Sequence, residues 1–301
     1  MMKKFIRQKN RNSKTMGVVL LIAVLCLSVV YAALYSVIYM YGTGSVDISC
    51  KNFYYWVDDS TNQGMFYSSC DANGNLNLNS ATGITKMSVA VNTISEGGSI
   101  YMLSPYEVSE DETVTVDTKS VIIQRYVLKD AQGNIVKNDD GNIQLCFHTG
   151  PLFNVSHNLK FNFVYNKDDS KDVKLPCLVI DGNEVESDDS AFRVSKGATL
   201  TLGNDLSENV ERFFSIENNY SYSSGGAIHS LGGSVVGNIV QFTNNCAISE
   251  SETYGGAVYA GSSYSEGTNA GSTLELNNCS FKENTARNSK KGHRHDGSVY
   301  I

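Results

Sequence analysis

Three short stretches near the end of the sequence decide the fold: Ile216-Glu217-Asn218-Asn219, Phe242-Thr243-Asn244-Asn245 and Phe281-Lys282-Glu283-Asn284. In each stretch an apolar residue is followed three positions later by asparagine. A second shared stretch then follows each of them: Gly225-Gly226-Ala227-Ile228-His229, Gly255-Gly256-Ala257-Val258-Tyr259 and Asp296-Gly297-Ser298-Val299-Tyr300. Two linked motifs that recur in the same order indicate an internal repeat.

The residue types of the repeat predict a coil that stacks on copies of itself. We expect the leading Ile or Phe to fill the interior and the asparagine to lie at a turn. There its side chain replaces missing backbone partners and forms a ladder from coil to coil. The glycine pair permits a tight bend with positive φ, and the small residue after it fits a crowded corner before the next inward strand.

Short β-type runs separated by polar turns continue upstream of the repeat, at residues 99–103, 113–116, 120–123, 175–180, 192–194 and 198–202. Since no long helix separates these runs, alternating βαβ layers are not expected. Ile84, Met87, Val91 and Ile94 recur at helical spacing just before a glycine pair. This spacing predicts a short capping helix near residues 84–95.

The motif pair F-x-x-N and G-G-A-[I/V] resembles the repeat of the polymorphic membrane protein family. The resemblance covers residues 216–301, with Ile216 in place of Phe and Asp296-Gly297-Ser298 in place of Gly-Gly-Ala. It implies an all-β fold, a right-handed single-stranded parallel β-helix (a solenoid) of the pectin-lyase-like class. It also implies a bacterial cell-surface protein associated with adhesion.

The N-terminal region predicts export. Residues 1–16 carry six Lys and Arg side chains and no acidic one, and residues 17–42 contain no charge. The uncharged segment is long enough to span a bilayer, with the basic residues kept on the cytoplasmic side. It is either a signal-anchor helix or a signal peptide cleaved after Val30-Tyr31-Ala32, and both interpretations stay open. The protein is therefore expected to be N-terminally membrane-anchored or secreted.

The predicted organisation is a basic region (1–16), the apolar helix (17–42), an irregular or β-rich leader (43–83) and the β-helix (84–301). Repeat units are expected around residues 214–230, 240–260 and 279–301. An exposed last coil would invite end-to-end pairing with other chains. The net charge is −7 although the first residues are strongly basic, so the exported part is acidic and nucleic-acid binding is not expected.

Seven cysteines are present, one of them, Cys26, in the apolar segment. The other six allow fifteen disulfide connectivities. Cys50 with Cys70 is the favoured pair, and the alternative is that all six are small buried hydrophobic residues. The six are Cys50, Cys70, Cys146, Cys177, Cys246 and Cys279.

No catalytic, cofactor or metal residues are predicted. The acidic pairs Asp139-Asp140, Asp168-Asp169 and Asp188-Asp189 are the candidates for a polysaccharide lyase or glycoside hydrolase, but each sits in a polar segment typical of a solvated turn. His293-Arg294-His295-Asp296 is interpreted as a solvated loop, since a metal site needs further ligands. A Ca²⁺ site has only the acidic composition in its favour.

The sequence is rich in tyrosine, including Tyr220, Tyr222, Tyr254, Tyr259 and Tyr264. These side chains suit either a binding surface for glycans or proteins, or simple stacking along a sheet. The predicted function is non-enzymatic binding of an extracellular protein or glycan ligand. The alternative is a secreted polysaccharide-acting enzyme of the same fold.

Overall fold

Short strands make up most of the computed structural model. It describes residues 51–58, 60–69, 77–109, 112–125, 142–145, 151–163, 178–203, 214–250, 253–265, 268–288, 294–295 and 297–301. The described part contains a 3-10 helix (Leu78–Ser80) and one α-helix, α1 (Met87–Thr93). None of its helices is long and apolar enough to cross a membrane, and the predicted apolar helix at residues 17–42 lies outside the described residues.

The strands of the described part are short, most of them two to five residues long. In chain order they are β1 (Asn52–Asp58), β2 (Gln63–Tyr67), β3 (Gly98–Met102), β4 (Tyr106–Val108), β5 (Val114–Val116), β6 (Val121–Arg125), β7 (Asn142–Leu145), β8 (Phe153–Val155), β9 (Asn158–Phe163), β10 (Leu178–Asp181), β11 (Glu186–Ser187), β12 (Phe192–Val194), β13 (Thr199–Leu202), β14 (Phe214–Glu217), β15 (Tyr220–Ser221), β16 (Ile228–Leu231), β17 (Ser234–Asn238), β18 (Val240–Thr243), β19 (Cys246–Ser249), β20 (Val258–Ser265), β21 (Thr268–Gly271), β22 (Thr273–Asn277), β23 (Ser280–Lys282), β24 (Thr285–Asn288), β25 (Arg294–His295) and β26 (Val299–Tyr300).

Four sheets collect these strands. Sheet 1 has the order β2-β1-β3-β6-β9-β13-β17-β22, and sheet 2 has the order β23-β18-β14-β10-β7-β4. Sheet 3 has the order β11-β15-β19-β24-β25, and sheet 4 runs β21-β20-β16-β12-β8-β5 with β26 also on β20. Nearly all neighbours are parallel, the exceptions being β1/β2, β20/β21 and β24/β25. The structure confirms the predicted all-β class.

From β3 onward the chain visits the sheets in a fixed cycle, and we call each cycle a coil. Coils 1 and 2 (β3–β5 and β6–β8) pass through sheets 1, 2 and 4. Coils 3 to 6 begin at β9, β13, β17 and β22 and pass through all four sheets. Each strand thus pairs with its counterpart one coil away, as Ile216 pairs with Ile180 on one side and Phe242 on the other.

The core lies inside the coils because alternate residues of the short strands point inward. Ile180, Ile216 and Phe242 are fully buried, and the Phe242 and Phe281 rings stack at 4.8 Å. In the earlier coils Phe153 stacks on Phe192, and Phe161 packs edge-on against both rings. The predicted inward position of the repeat's leading apolar residue is confirmed.

The predicted asparagine ladder is present at the corner between sheets 2 and 3. Asn219 Nδ2 donates to Asn245 Oδ1 at 2.9 Å, and Asn245 Nδ2 donates to Asn284 Oδ1 at 2.9 Å. All three side chains are buried. The residue before each of them has positive φ, namely Asn218, Asn244 and Glu283.

The glycine pair makes the corner before sheet 4. Gly225 and Gly255 have φ values of 74° and 63°, where a β-carbon would strike the carbonyl of Ile228 or Val258. The second glycine is required by close packing, because a β-carbon on Gly256 would lie 2.3 Å from Thr285 N. The predicted tight bend with positive φ is therefore confirmed at the first glycine of each pair, whereas the close packing of the second glycine was not predicted.

Helix α1 covers the start of the core, with Met87, Ala90 and Val91 buried. It is shorter than the predicted helix at residues 84–95. Ser88 N donates to Glu112 Oε1 at 2.7 Å at its first turn. At its last turn Lys119 Nζ donates to the carbonyls of Asn92 and Ile94. Side chains from the loops of coil 1 thus bind both ends of the helix.

Candidate functional site

The fifth residue of the glycine motif lines up on the outer face of sheet 4. Arg193, His229, Tyr259 and Tyr300 pair successively across β12, β16, β20 and β26, and we call them the outer row. Their chain neighbours Phe192, Ile228 and Val258 are buried in the core. Because side chains alternate along a strand, the outer row faces away from the core.

The aromatic members of the outer row contact one another directly. The rings of Tyr259 and Tyr300 stack at 5.6 Å, and His229 meets Tyr259 edge-on at 5.2 Å. Tyr254, from the turn before β20, stacks on Tyr300 at 4.4 Å. Tyr300 remains 45% exposed. The outer row thus carries a continuous series of aromatic contacts from His229 to Tyr300.

A polar cluster lies at the other end of the row. Arg193 Nη1 pairs with Asp189 Oδ2 at 2.7 Å, and Ser223 Oγ lies 2.6 Å from His229 Nδ1. Burial lowers the pKa of His229; the nearby Asp189 carboxylate opposes this shift, and the Arg193 charge adds to it. The imidazole is consequently neutral at neutral pH.

Serine, histidine and aspartate occur together here, but not in the geometry of a hydrolase. A catalytic relay needs the serine and the carboxylate on opposite ring nitrogens. Ser223 and Asp189 both face Nδ1 of His229, with Asp189 Oδ1 at 3.9 Å. In this arrangement His229 cannot pass a proton from Ser223 to Asp189.

Of the three candidate carboxylate pairs, the structure describes Asp188-Asp189, and its two side chains differ in burial. Asp188 is exposed, whereas Asp189 is only 9% exposed and binds both Arg193 and Ser190 N. The expectation that both lie in a solvated turn is thus wrong for Asp189, because the corner before β12 folds it against the next coil. The pairs Asp139-Asp140 and Asp168-Asp169 lie outside the described residues.

The structure describes two of the four residues in the stretch His293-Arg294-His295-Asp296. Arg294 and His295 form β25, antiparallel to β24, where a loop was expected, while His293 and Asp296 lie outside the described residues. Within the described ranges no group of three or more His, Cys, Asp or Glu side chains could hold a metal ion.

Two of the seven cysteines fall within the described part. Cys246 is buried, Cys279 is half-buried, and both are free thiols. Their burial fits the interpretation of cysteine as a small hydrophobic residue. Cys26 and the favoured pair Cys50 and Cys70 lie outside the described residues, as do Cys146 and Cys177.

A β-hairpin leaves sheet 4 beside the outer row. Strand β20 follows β16 only as far as Gly261, and its remaining residues pair with β21. Ser272 secures the base, because its hydroxyl donates to Gly261 O and accepts a hydrogen bond from Gly232 N. Residues 262–271 read Ser-Ser-Tyr-Ser-Glu-Gly-Thr-Asn-Ala-Gly.

The predicted tyrosines divide between two faces. Tyr254 and Tyr259 belong to the outer-row surface and Tyr264 to the hairpin, whereas Tyr220 and Tyr222 lie on sheet 3. Sequence reasoning missed Arg193 as a member of the row. Ser190-Ala191-Phe192-Arg193 is an earlier copy of Gly226-Ala227-Ile228-His229, and this weak similarity was the available signal.

Comparison with known protein families matches a stretch of coil 4. Neither the curated proteins nor the solved structures contain a significant match to this chain. Residues 214–231, which span β14, β15 and β16, match the family model described as the Chlamydia polymorphic membrane protein (Chlamydia_PMP) repeat. The stretch of coil 4 from β14 to β16 is therefore similar to the repeat of the polymorphic membrane protein family.

Proposed function

We propose that residues 84–301 form a right-handed parallel β-helix that displays a ligand-binding surface on a bacterial cell-surface protein. Two findings support this proposal. From β3 onward the strands return to the same sheets in a fixed order, through all four sheets in coils 3 to 6, and coil 4 matches the polymorphic membrane protein repeat. Export and attachment through residues 17–42 belong to the same proposal and follow from the apolar, uncharged sequence of that segment.

The proposal of ligand binding rests mainly on the hairpin that β20 and β21 form. The coils already bury their core without it, since β20 completes its part of sheet 4 by Gly261. Residues 262–271 include three Ser, two Gly, one Tyr and one Asn, residue types that supply adaptable hydrogen bonds and aromatic anchors in binding loops. We therefore assign ligand contact to the hairpin together with Tyr259 and Tyr300.

Binding without catalysis is the proposed mode of action. The serine, histidine and aspartate of sheet 4 lack relay geometry, and Asp189 is held by Arg193. The ligand class is an extracellular protein or glycan, because tyrosine hydroxyl groups, the imidazole and the guanidinium all present hydrogen-bonding groups.

Measuring the binding of the full chain to an array of glycans and extracellular-matrix proteins tests the proposal. We expect a retained ligand, and we expect no shortened chains when the same polysaccharides are analysed after incubation. Replacing residues 263–270 by Gly-Gly should weaken binding at least about tenfold and leave the unfolding midpoint unchanged. Fragments of a polysaccharide would instead establish the enzymatic alternative.

A matched pair of exposed tyrosines locates the surface. Tyr300 is 45% exposed in the outer row and Tyr222 is 50% exposed beside sheet 3. We expect Tyr300→Ser to weaken retention of the ligand and Tyr222→Ser to leave it unchanged. The opposite ranking would move the binding surface to sheet 3.

A further inference from the structure

The asparagine ladder follows a strict hydrogen-bonding pattern. Each Oδ1 accepts two hydrogen bonds from the preceding coil, one from the backbone N–H and one from Nδ2 of the asparagine there. Asn245 Oδ1 lies 3.2 Å from Asn219 N and 2.9 Å from Asn219 Nδ2. Asn284 Oδ1 lies 3.0 Å from Asn245 N and 2.9 Å from Asn245 Nδ2. Each rung therefore satisfies the acceptor of the next.

The pattern stops at Asn219, the first rung. Its side chain is 2% exposed, and Oδ1 is buried without a hydrogen-bond partner. The amide orientation follows from its donors, since Nδ2 reaches Glu217 O at 2.8 Å and Asn245 Oδ1 at 2.9 Å. The unpartnered atom is thus the acceptor Oδ1, while Nδ2 also lies 3.5 Å from Ile180 O of coil 3.

Coil 3 supplies no asparagine at this place. The turn between sheets 2 and 3 differs in length between the two coils. In coil 4 two residues lie between Glu217 and Tyr220. In coil 3 four residues lie between Asp181 and Glu186, which pair with Glu217 and Tyr220. The residue that precedes Glu186 is Val185, whose N–H donates to Gly182 O at 3.1 Å within its own turn. Both donors that a rung would provide are therefore missing.

A small pocket occupies the position of the missing rung. Val185, Gly182 and Asn219 line it together with Ser187 and Asp189, and it admits a water molecule. Gly182 lets the two turns approach closely, because a β-carbon there would lie 2.6 Å from Asn219 Cα. The pocket combines a buried acceptor with further polar groups, which is what an ordered water requires.

We propose that this pocket binds one ordered water molecule, which donates a hydrogen bond to Asn219 Oδ1 and replaces the missing rung of the ladder. Its second hydrogen and its oxygen face the polar groups of Ser187 and Asp189. The water links coil 3, the first coil with a sheet 3 strand among the described residues, to the asparagine-bearing coils. The proposal is independent of any ligand bound by the hairpin.

A high-resolution crystal structure of the full chain tests the proposal. We expect a density peak about 2.8 Å from Asn219 Oδ1 within the pocket. A dry pocket would overturn the proposal, and so would a protein side chain that donates to Oδ1.

Substitution of Val185 gives a second test. In Val185→Asn the new amide can take the place of the water, and we expect the density peak to disappear and the thermal midpoint to exceed that of Val185→Thr. Threonine matches valine in shape but is too short to act as a rung. A water peak retained in Val185→Asn, or a lower midpoint than in Val185→Thr, would count against the missing-rung interpretation.

Discussion

Asn245 is the central rung of the ladder and bonds to the rungs on both sides. It is fully buried, donates to Ile216 O and Asn284 Oδ1, and accepts from Asn219. Asn245→Leu would leave these partners buried and unsatisfied, so we expect a loss of about 3 kcal/mol in the free energy of unfolding. Denaturant titration measures the loss. Asn92→Leu, at an exposed position on α1, should change stability by less than about 0.5 kcal/mol.

Gly256 lies where the neighbouring backbone leaves no room for a side chain. It packs against the backbone of β24, where a β-carbon would lie 2.3 Å from Thr285 N. We expect Gly256→Ala to force the corner away from sheet 3 and to lower stability by roughly 1–3 kcal/mol in thermal unfolding. Gly271 is the control, because a β-carbon there has no neighbour within 4 Å. Equal effects of the two alanine substitutions would show that the close approach is unimportant.

At the scale of elements, a buried tyrosine couples helix α1 to the strands. The Tyr106 hydroxyl accepts from Met87 N at 2.8 Å and donates to Glu112 Oε2 at 2.6 Å. Burial, reinforced by the hydrogen bond to Glu112, raises the pKa of Tyr106 well above its ordinary value of 10.0. Burial also raises the pKa of Tyr55, to about 12.

The raised pKa values predict alkaline sensitivity of this element. A folded-state pKa above the unfolded value contributes stability that is complete below pH 10 and is lost as the pH rises through the folded-state pKa. We expect stability to fall more steeply above about pH 10 in the native protein than in Tyr106→Phe. At neutral pH the variant should be less stable by about 1 kcal/mol, since Met87 N loses its acceptor. Unfolding titrations across this pH range would contradict the coupling if both proteins lost stability in parallel.

At the scale of the whole molecule, strands of one coil pair only with those of adjacent coils in the described ranges, apart from the antiparallel pairs β20/β21 and β24/β25. Phe242→Asp places a charge in the interior of coil 5, where Phe242 is fully buried. We expect hydrogen exchange to lose protection first in coils 4 to 6, while coils 1 and 2 stay protected. Gln241→Asp, on the outward side of β18, should leave the exchange pattern unchanged. Uniform loss of protection would indicate a single cooperative unit.

The sequence by itself determined the features that depend on local patterns. Strand-sized apolar runs, the inward Phe242, the rungs Asn219, Asn245 and Asn284, and the glycine corners could all be predicted, because each is a property of a few consecutive residues repeated at intervals. A helix was predicted at residues 84–95 for the same reason, although only the central residues of that segment, Met87–Thr93, are helical. In coils 4, 5 and 6 an apolar residue three positions before an asparagine marks an inward side chain followed by a rung of the ladder.

Only the tertiary structure decided which distant residues meet. Arg193 and His229 are neighbours because Phe192 pairs with Ile228, and connections of unequal length hide that register in the sequence. The burial of Asp189 and the unpartnered Oδ1 of Asn219 both occur where coils 3 and 4 meet, and coil 3 holds the first sheet 3 strand of the described residues. Their physical reason is the same: backbone hydrogen bonds between coils fix the lateral position of each side chain, and those bonds join residues far apart in the chain.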